Sequence, residues 1–225
     1  LHRYLLYDGI LTNDSSIVDG KGIGDPTEFA LVEMGRKATV DENLLRELMP
    51  RLEEIPFDSD RKLMSTKYKL HGVPTVLTKG ALDVLLDRTV KIRMEDGIRD
   101  ITKEDKEAIL KKNLEFSQEG LRVLAFGYKE VSKDYTLSLD NEKDFIFLGL
   151  ISMMDPPREE SKAAVTDAKR AGIKPVMITG DHKITATAIA KQIGIFEEGD
   201  ISLTGRELDA MSEEELDQKI ASISV

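Results

Sequence analysis

Thr179-Gly180-Asp181 follows an apolar run, residues 175–178 (PVMI), and precedes a helical pattern. At the carboxyl end of a strand, that order offers a phosphate the Thr179 hydroxyl, close backbone approach at Gly180 and the free N–H groups of the next helix. The same residues also make an ordinary strand-to-helix turn with Asp181 as N-cap. Residues 57–62 (FDSDRK) set Phe57 five positions ahead of Lys62. An exposed ring stacks on a base, and a lysine meets phosphates as a point charge; equally, Phe57 suits a core and residues 60–62 a solvated turn. Lys79 ends an apolar strand pattern and is followed by Gly80-Ala81. Its ammonium either enters a cleft or covers a sheet edge. Arg122 opens a later strand pattern just after Gly120, a surface position unless an anion lies near. Glu28 stands three residues after Asp25, where a capping box accounts for it.

Other chemistries find no footing. His2, His71 and His182 are scattered without ligand spacing, and there is no cysteine, so thiolate metal sites and disulfides are excluded. Neither a Gly-x-Ser-x-Gly nucleophile motif nor a Gly-x-x-x-x-Gly-Lys-Ser/Thr loop occurs. The net charge of -10 argues against a nucleic-acid partner, although a few basic residues still make a local cleft.

The elements that must hold these residues change character along the chain. Asp25-Pro26-Thr27-Glu28 predicts a helix start, with Asp25 as N-cap and Pro26 in the first turn. Further helices are expected over residues 41–52, 81–88 and 102–118. Strands are expected over 61–70 and 74–78, paired across His71-Gly72, and over 121–131 and 145–154. After Asp155, Pro156-Pro157 marks a boundary. Helix 159–171, strand 175–179, helix 185–193, strand 201–204 and a helix begun at Ser212 then alternate as in a parallel sheet. The apolar run at 145–154 falls short of the roughly 20 residues that span a bilayer. The chain opens on Leu1 without a signal-peptide pattern, and it is read as a piece of a longer protein.

Six segments occur together: Gly24-Asp25-Pro26-Thr27-Glu28, residues 57–65 (FDSDRKLMS), Lys79-Gly80-Ala81, residues 120–125 (GLRVLA), Asp155-Pro156-Pro157-Arg158 and residues 177–182 (MITGDH). In this order and spacing they resemble the type II P-type cation-transporting ATPases, bacterial calcium-transporting ATPases above all. The resemblance implies a fold in two parts. Residues 1–150 would be an α+β nucleotide-binding domain, an antiparallel sheet with helices that lacks its first strands. Residues 151–225 would be part of a haloacid-dehalogenase-like parallel α/β phosphorylation domain. It further implies that Phe57 stacks on adenine, Glu28 makes a polar contact near it, Lys62 and Lys79 line the nucleotide pocket, and Arg122 lies near the phosphates. Thr179, Gly180 and Asp181 would form the loop that meets the γ-phosphate, with Asp155 and Arg158 in the hinge.

The ligands so implied are ATP and a Mg2+ ion held mostly outside this chain. The partner is the remainder of the same pump, at the cytoplasmic face of the cell membrane, with this piece soluble. The catalytic aspartate of an Asp-Lys-Thr-Gly-Thr segment does not occur in residues 1–225, so the piece alone is expected to be inactive. Three positions depart from the family pattern: Ser59 stands where some animal pumps carry arginine, Leu82 where proline often follows, and His182 where asparagine is common. The rival readings are a pump of another cation specificity, a non-catalytic interaction module and a free-standing haloacid-dehalogenase-type phosphatase. The presence of Phe57, Lys62, Lys79 and Arg122 speaks against the module. The phosphatase needs an Asp-x-Asp or Asp-Lys-Thr at the end of an early strand, and neither is found there.

Overall fold

The computed structural model describes residues 2–18, 21–154 and 158–225. They fall into two compact units, one of residues 1–113 with 123–153 and the other of residues 114–122 with 154–225.

The first unit holds a two-stranded antiparallel sheet, β1 (Ser16–Val18) and β2 (Lys21–Ile23), and a seven-stranded sheet. The strands of the larger sheet are β3 (Glu53–Ile55), β4 (Leu63–Leu70), β5 (Val73–Gly80), β6 (Thr89–Met94), β7 (Gly97–Asp100), β8 (Arg122–Glu130) and β9 (Phe145–Met153), in the order β3-β4-β5-β8-β9-β6-β7. The run from β3 to β8 is antiparallel, as expected, but β6 pairs with β9 in parallel, so the sheet is mixed. The β4–β5 hairpin turns on His71 and Gly72, with φ of 50° and 88°. Positive φ at both central residues is the mirror-image turn whose twist matches a two-residue hairpin.

Side chains alternate across this sheet, and each face has its own core. Tyr68, Leu77, Phe126 and Tyr128 pack on one side with Ile10, Leu31 and Leu45. Those three come from α1 (His2–Leu11), α2 (Pro26–Lys37) and α3 (Glu42–Leu48). Leu63, Val76, Ala125 and Phe147 face the other side with Leu82 and Leu85 of α4 (Leu82–Asp87). Cutting Phe126 back to alanine would cost about 3–5 kcal/mol, the usual toll for a buried ring.

Caps and breakers behave largely as the sequence predicts. Asp25 accepts hydrogen bonds from the Thr27 and Glu28 amides at 2.8 and 3.3 Å, and Pro26 opens α2. Thr102 and Asp105 exchange bonds at the start of α5 (Lys103–Gln118). Helix α3 stops at Leu48, short of the expected residue 52, because Pro50 drives the residue before it out of helical geometry.

In the second unit, α6 (Glu159–Arg170), α7 (Lys183–Ile193), α8 (Gly205–Asp209) and α9 (Glu213–Lys219) are regular. Gly194 closes α7 in the left-handed conformation at φ 83°. The expected strands are not regular. Residues 175–179 form no ladder; the Met177 amide donates to the Ser224 carbonyl, and 201–204 contributes a single parallel bridge, Ile201 to Ile223. A strand exists only through its neighbours, and Ile178 is 94% exposed with Val176 exposed beside it. The small core here is Ala190, Ile193 and Ile195 with Met177 and Val165 against it.

Candidate functional site

Glu28 and Lys79 meet. Glu28 is the third residue of α2, where a capping box would turn its carboxylate back to the Asp25 amide. Instead Oε2 accepts from the Asp14 amide at 2.9 Å, and Oε1 takes the Lys79 ammonium at 2.6 Å. The Asp25 side chain caps the Thr27 and Glu28 amides, while the Glu28 carboxylate turns away to Asp14 and Lys79. Lys79 does not cover an edge. It lies on β5, opposite Met64 of β4 on one side and Phe126 of β8 on the other, and is only 5% exposed. Burial pushes its pKa down, and the Glu28 carboxylate pulls it partly back.

Beneath this pair lies Asp8 of α1, wholly buried. Its Oδ1 accepts from the Thr12 hydroxyl at 2.9 Å, while Oδ2 has no hydrogen-bond partner among the described residues. Burial raises the Asp8 pKa well above the carboxylate range, against the opposing pull of the Thr12 hydroxyl and the Lys79 charge. The segment that offers the Asp14 amide is itself fixed by two arginines. Arg46 donates to the carbonyls of Ile10, Asn13 and Ser15, and Arg51 to those of Leu11 and Asn13.

Phe57 projects from the turn before β4 and is 60% exposed. The turn is tightly bonded. The Asp58 carboxylate accepts from the Asp60 and Arg61 amides, and the Lys62 amide donates to the Asp58 carbonyl at 2.6 Å. Lys62 is exposed and sits at φ 58°, a left-handed conformation costing on the order of 1 kcal/mol in a residue other than glycine. The strand expected from residue 61 therefore begins at Leu63. The Lys62 carbonyl accepts from the Ala81 amide at 3.0 Å, so the two lysine-bearing motifs are joined through backbone. Gly80 is required at that junction: its φ is 157°, and a Cβ there would collide with the Lys62 carbonyl oxygen.

In the second unit, Arg122 reaches Asp181 at 3.4 Å, with both side chains partly exposed. The Asp181 amide donates to the Thr179 hydroxyl at 3.1 Å. Asp181 is not the N-cap of α7; His182 is, its Nδ1 accepting from the Ile184 amide at 3.4 Å. Around Gly180 a side chain would meet nothing within 4 Å among the described residues. Arg158 stands exposed at the N-cap of α6. Asp155 lies outside the described residues. The structure thus pairs Glu28 with Lys79 and Arg122 with Asp181, and it links Lys62 to the Lys79 motif. Phe57 stands apart on its turn.

Sequence reasoning passed over Asp8, Arg61 and Glu142. Glu142 is fully buried and takes both Arg61 and Arg88, at 2.5 and 2.8 Å. Arg61 lay inside a motif already singled out; Asp8 and Glu142 carry no local signal, because their partners are distant in sequence.

A family model described as "P-type ATPase, cytoplasmic domain N" matches residues 2–160. A calcium-transporting ATPase of Listeria monocytogenes is 48% identical over 225 residues, which cover 99% of this chain and 26% of that protein. A calcium-transporting ATPase of Lactococcus lactis gives the same identity and coverage, and one of Saccharomyces cerevisiae is 35% identical over 99% of this chain and 24% of its own length. The chain therefore spans about a quarter of the length of the curated relatives it matches. With the family model covering most of the chain and relatives this similar along nearly all of it, the chain belongs to the P-type ATPase family.

Proposed function

We propose that this chain is the ATP-holding part of a calcium-transporting pump, with residues 1–150 as its nucleotide-binding domain and residues 151–225 as part of its phosphorylation domain. Phe57 stacks on the adenine. Glu28 makes a polar contact near the base, Lys62 and Lys79 line the pocket, and Arg122 attends the phosphates. Thr179, Gly180 and Asp181 receive the γ-phosphate end, and Asp155 and Arg158 belong to the hinge. The acceptor is an aspartate beyond these residues, so the work done here is positioning and electrostatic stabilisation of phosphoryl transfer. Among the described residues no group of three or more histidine, aspartate or glutamate side chains is placed to hold a metal ion. Magnesium, in this reading, is held mainly by groups outside this chain. No helix among the described residues is long and apolar enough to cross a membrane; the membrane part of the pump and its cytoplasmic face belong to the proposal.

The observation that carries this reading is Phe57. A ring left 60% exposed on a turn bonded at several points is available to a ligand. It is suited to stacking, worth about 1–3 kcal/mol per base where such contacts have been measured. Calorimetric titration of ATP into Phe57→Ala is the test. Affinity is expected to fall roughly 5- to 150-fold, with the melting temperature nearly unchanged because the ring is exposed. An unchanged affinity refutes the stack.

A further inference from the structure

We infer that Glu142 is a positioning residue for the nucleotide site, acting through Arg61 on the Pro56–Phe57 start of the turn, while Lys62 is held separately by the Asp58 carbonyl and the Ala81 amide. The inference rests on the adenine-stacking role proposed for Phe57.

Glu142 follows a short 3-10 turn, Leu139–Asn141, far along the chain from the Phe57 turn. Its side chain is completely inaccessible, yet it is not an isolated charge. Oε1 accepts from Arg61 Nη1 at 2.5 Å and from the Ser65 hydroxyl at 2.6 Å, and Oε2 accepts from Arg88 Nη1 at 2.8 Å. Arg88 also donates to the Glu142 carbonyl at 3.1 Å, which anchors the backbone as well as the carboxylate. Held this way, Arg61 turns its other terminal nitrogen to the Pro56 carbonyl at 2.5 Å. Pro56 is the residue immediately before Phe57. One guanidinium thus ties the start of the turn to a buried carboxylate, while the Arg61 amide is tied to Asp58 inside the turn.

Stability alone does not account for this geometry. Replacing a buried ion pair by apolar residues of similar volume is often neutral or stabilising, so such a pair is weak evidence of a stabilising role. What the charged version adds is direction: a planar fork with one arm on Glu142 and the other on the main chain beside Phe57. A ring that must stack binds more tightly when its turn is already ordered, because less freedom is lost on binding. Releasing Arg61 should therefore weaken recognition of the base and leave recognition of the phosphates alone.

The experiment compares Glu142→Gln, Phe57→Ala and the double variant by calorimetry, with ATP and with tripolyphosphate, which lacks the base. Hydrogen exchange at the Asp60 and Arg61 amides is followed alongside. Glu142→Gln is expected to weaken ATP by a factor no larger than the roughly 5- to 150-fold of Phe57→Ala. Tripolyphosphate binding should not change, nothing further should be lost in the Phe57→Ala background, and exchange in the turn should quicken. If Glu142→Gln melts too low to study, Arg61→Lys keeps a charge beside Glu142 but loses the fork to Pro56, and the same results are expected of it. Equal weakening of ATP and tripolyphosphate, a full additional loss in the double variant, or unchanged exchange in the turn each overturn the inference while the stack stands. If Phe57→Ala itself leaves ATP binding intact, the adenine reading falls and this inference falls with it.

Discussion

The two units hold their candidate site residues in different ways. In the first, Lys79 sits on a strand bonded on both sides, and Glu28 sits in the first turn of a helix whose cap is already satisfied. In the second, Thr179, Gly180 and Asp181 follow a segment that has no ladder and that presents Val176 and Ile178 to solvent. The motif residues of the first unit are fixed by the fold around them. Among the described residues, those of the second are held by the Thr179–Asp181 bond and a long contact between Asp181 and Arg122. A short sequence motif says which residues serve a site, but neighbouring strands decide how firmly they are held.

The contrast would break most completely if the open segment did chemistry unaided. Incubated with γ-labelled ATP and magnesium, this chain is expected to show no phosphoenzyme on an acid gel, since phosphoryl transfer needs an aligned carboxylate nucleophile. A labelled band lost in Asp181→Asn would place the nucleophile inside residues 1–225 and favour the free-standing phosphatase.

Hydrogen exchange sharpens the contrast with a graded measure. Amides of β4 and β5 should exchange at least about a thousandfold more slowly than those of Val176 and Ile178. That is the gap between global opening at even ~4 kcal/mol and nearly free exchange. Equal protection would mean that 175–179 is a strand in solution.

Ion pairs in the two units should also differ. Lys79→Ala strands Glu28 and opens space beside Asp8, at a cost of about 3 kcal/mol. Asp181→Ala removes only an exposed contact, and stability should stay within about 0.5 kcal/mol. Chemical denaturation of both variants decides the matter, and similar losses would erase the distinction.

The smallest effect concerns a cap in the second unit. Lys183, together with the Thr204 amide and hydroxyl, lowers the Glu207 pKa from its ordinary value to about 2. A carboxylate whose folded pKa is depressed contributes stability above its unfolded pKa and loses it as pH falls through the folded one. The contribution of Glu207 is therefore expected to fade from about pH 4 down to about pH 2. An NMR titration of its side chain that gave an ordinary value would remove the Lys183 and Thr204 contacts from solution.

Much of the first unit was legible from residue order alone. The His71-Gly72 turn, the Asp25-Pro26 helix start and the Thr102–Asp105 cap are local signals with local causes, and each occurs as expected. The α1 helix, the β1–β2 ribbon and the β6–β7 hairpin were not anticipated. Helix α1 buries Ile10 and Leu11 but also Asp8, Thr12 and Asn13 follow it inward, so its pattern is not that of an ordinary amphipathic helix. At the site, Lys79 was recognised as a candidate while its depth was not, because burial of a lysine depends on Glu28, 51 positions away. The strand expected at 175–179 shows the opposite failure: an apolar run is legible, its pairing partners are not.

The buried Asp8 carboxyl bears on the acid–base character of the whole molecule. The formal charge of -10 counts that group as ionised. In the folded protein its raised pKa keeps the proton at pH values where the unfolded chain has released it. Folding therefore takes up a proton at this position, and the stability linked to it is full below the ordinary aspartate pKa and is lost as pH rises through the folded one. At this position the native molecule is a weaker acid than its composition declares.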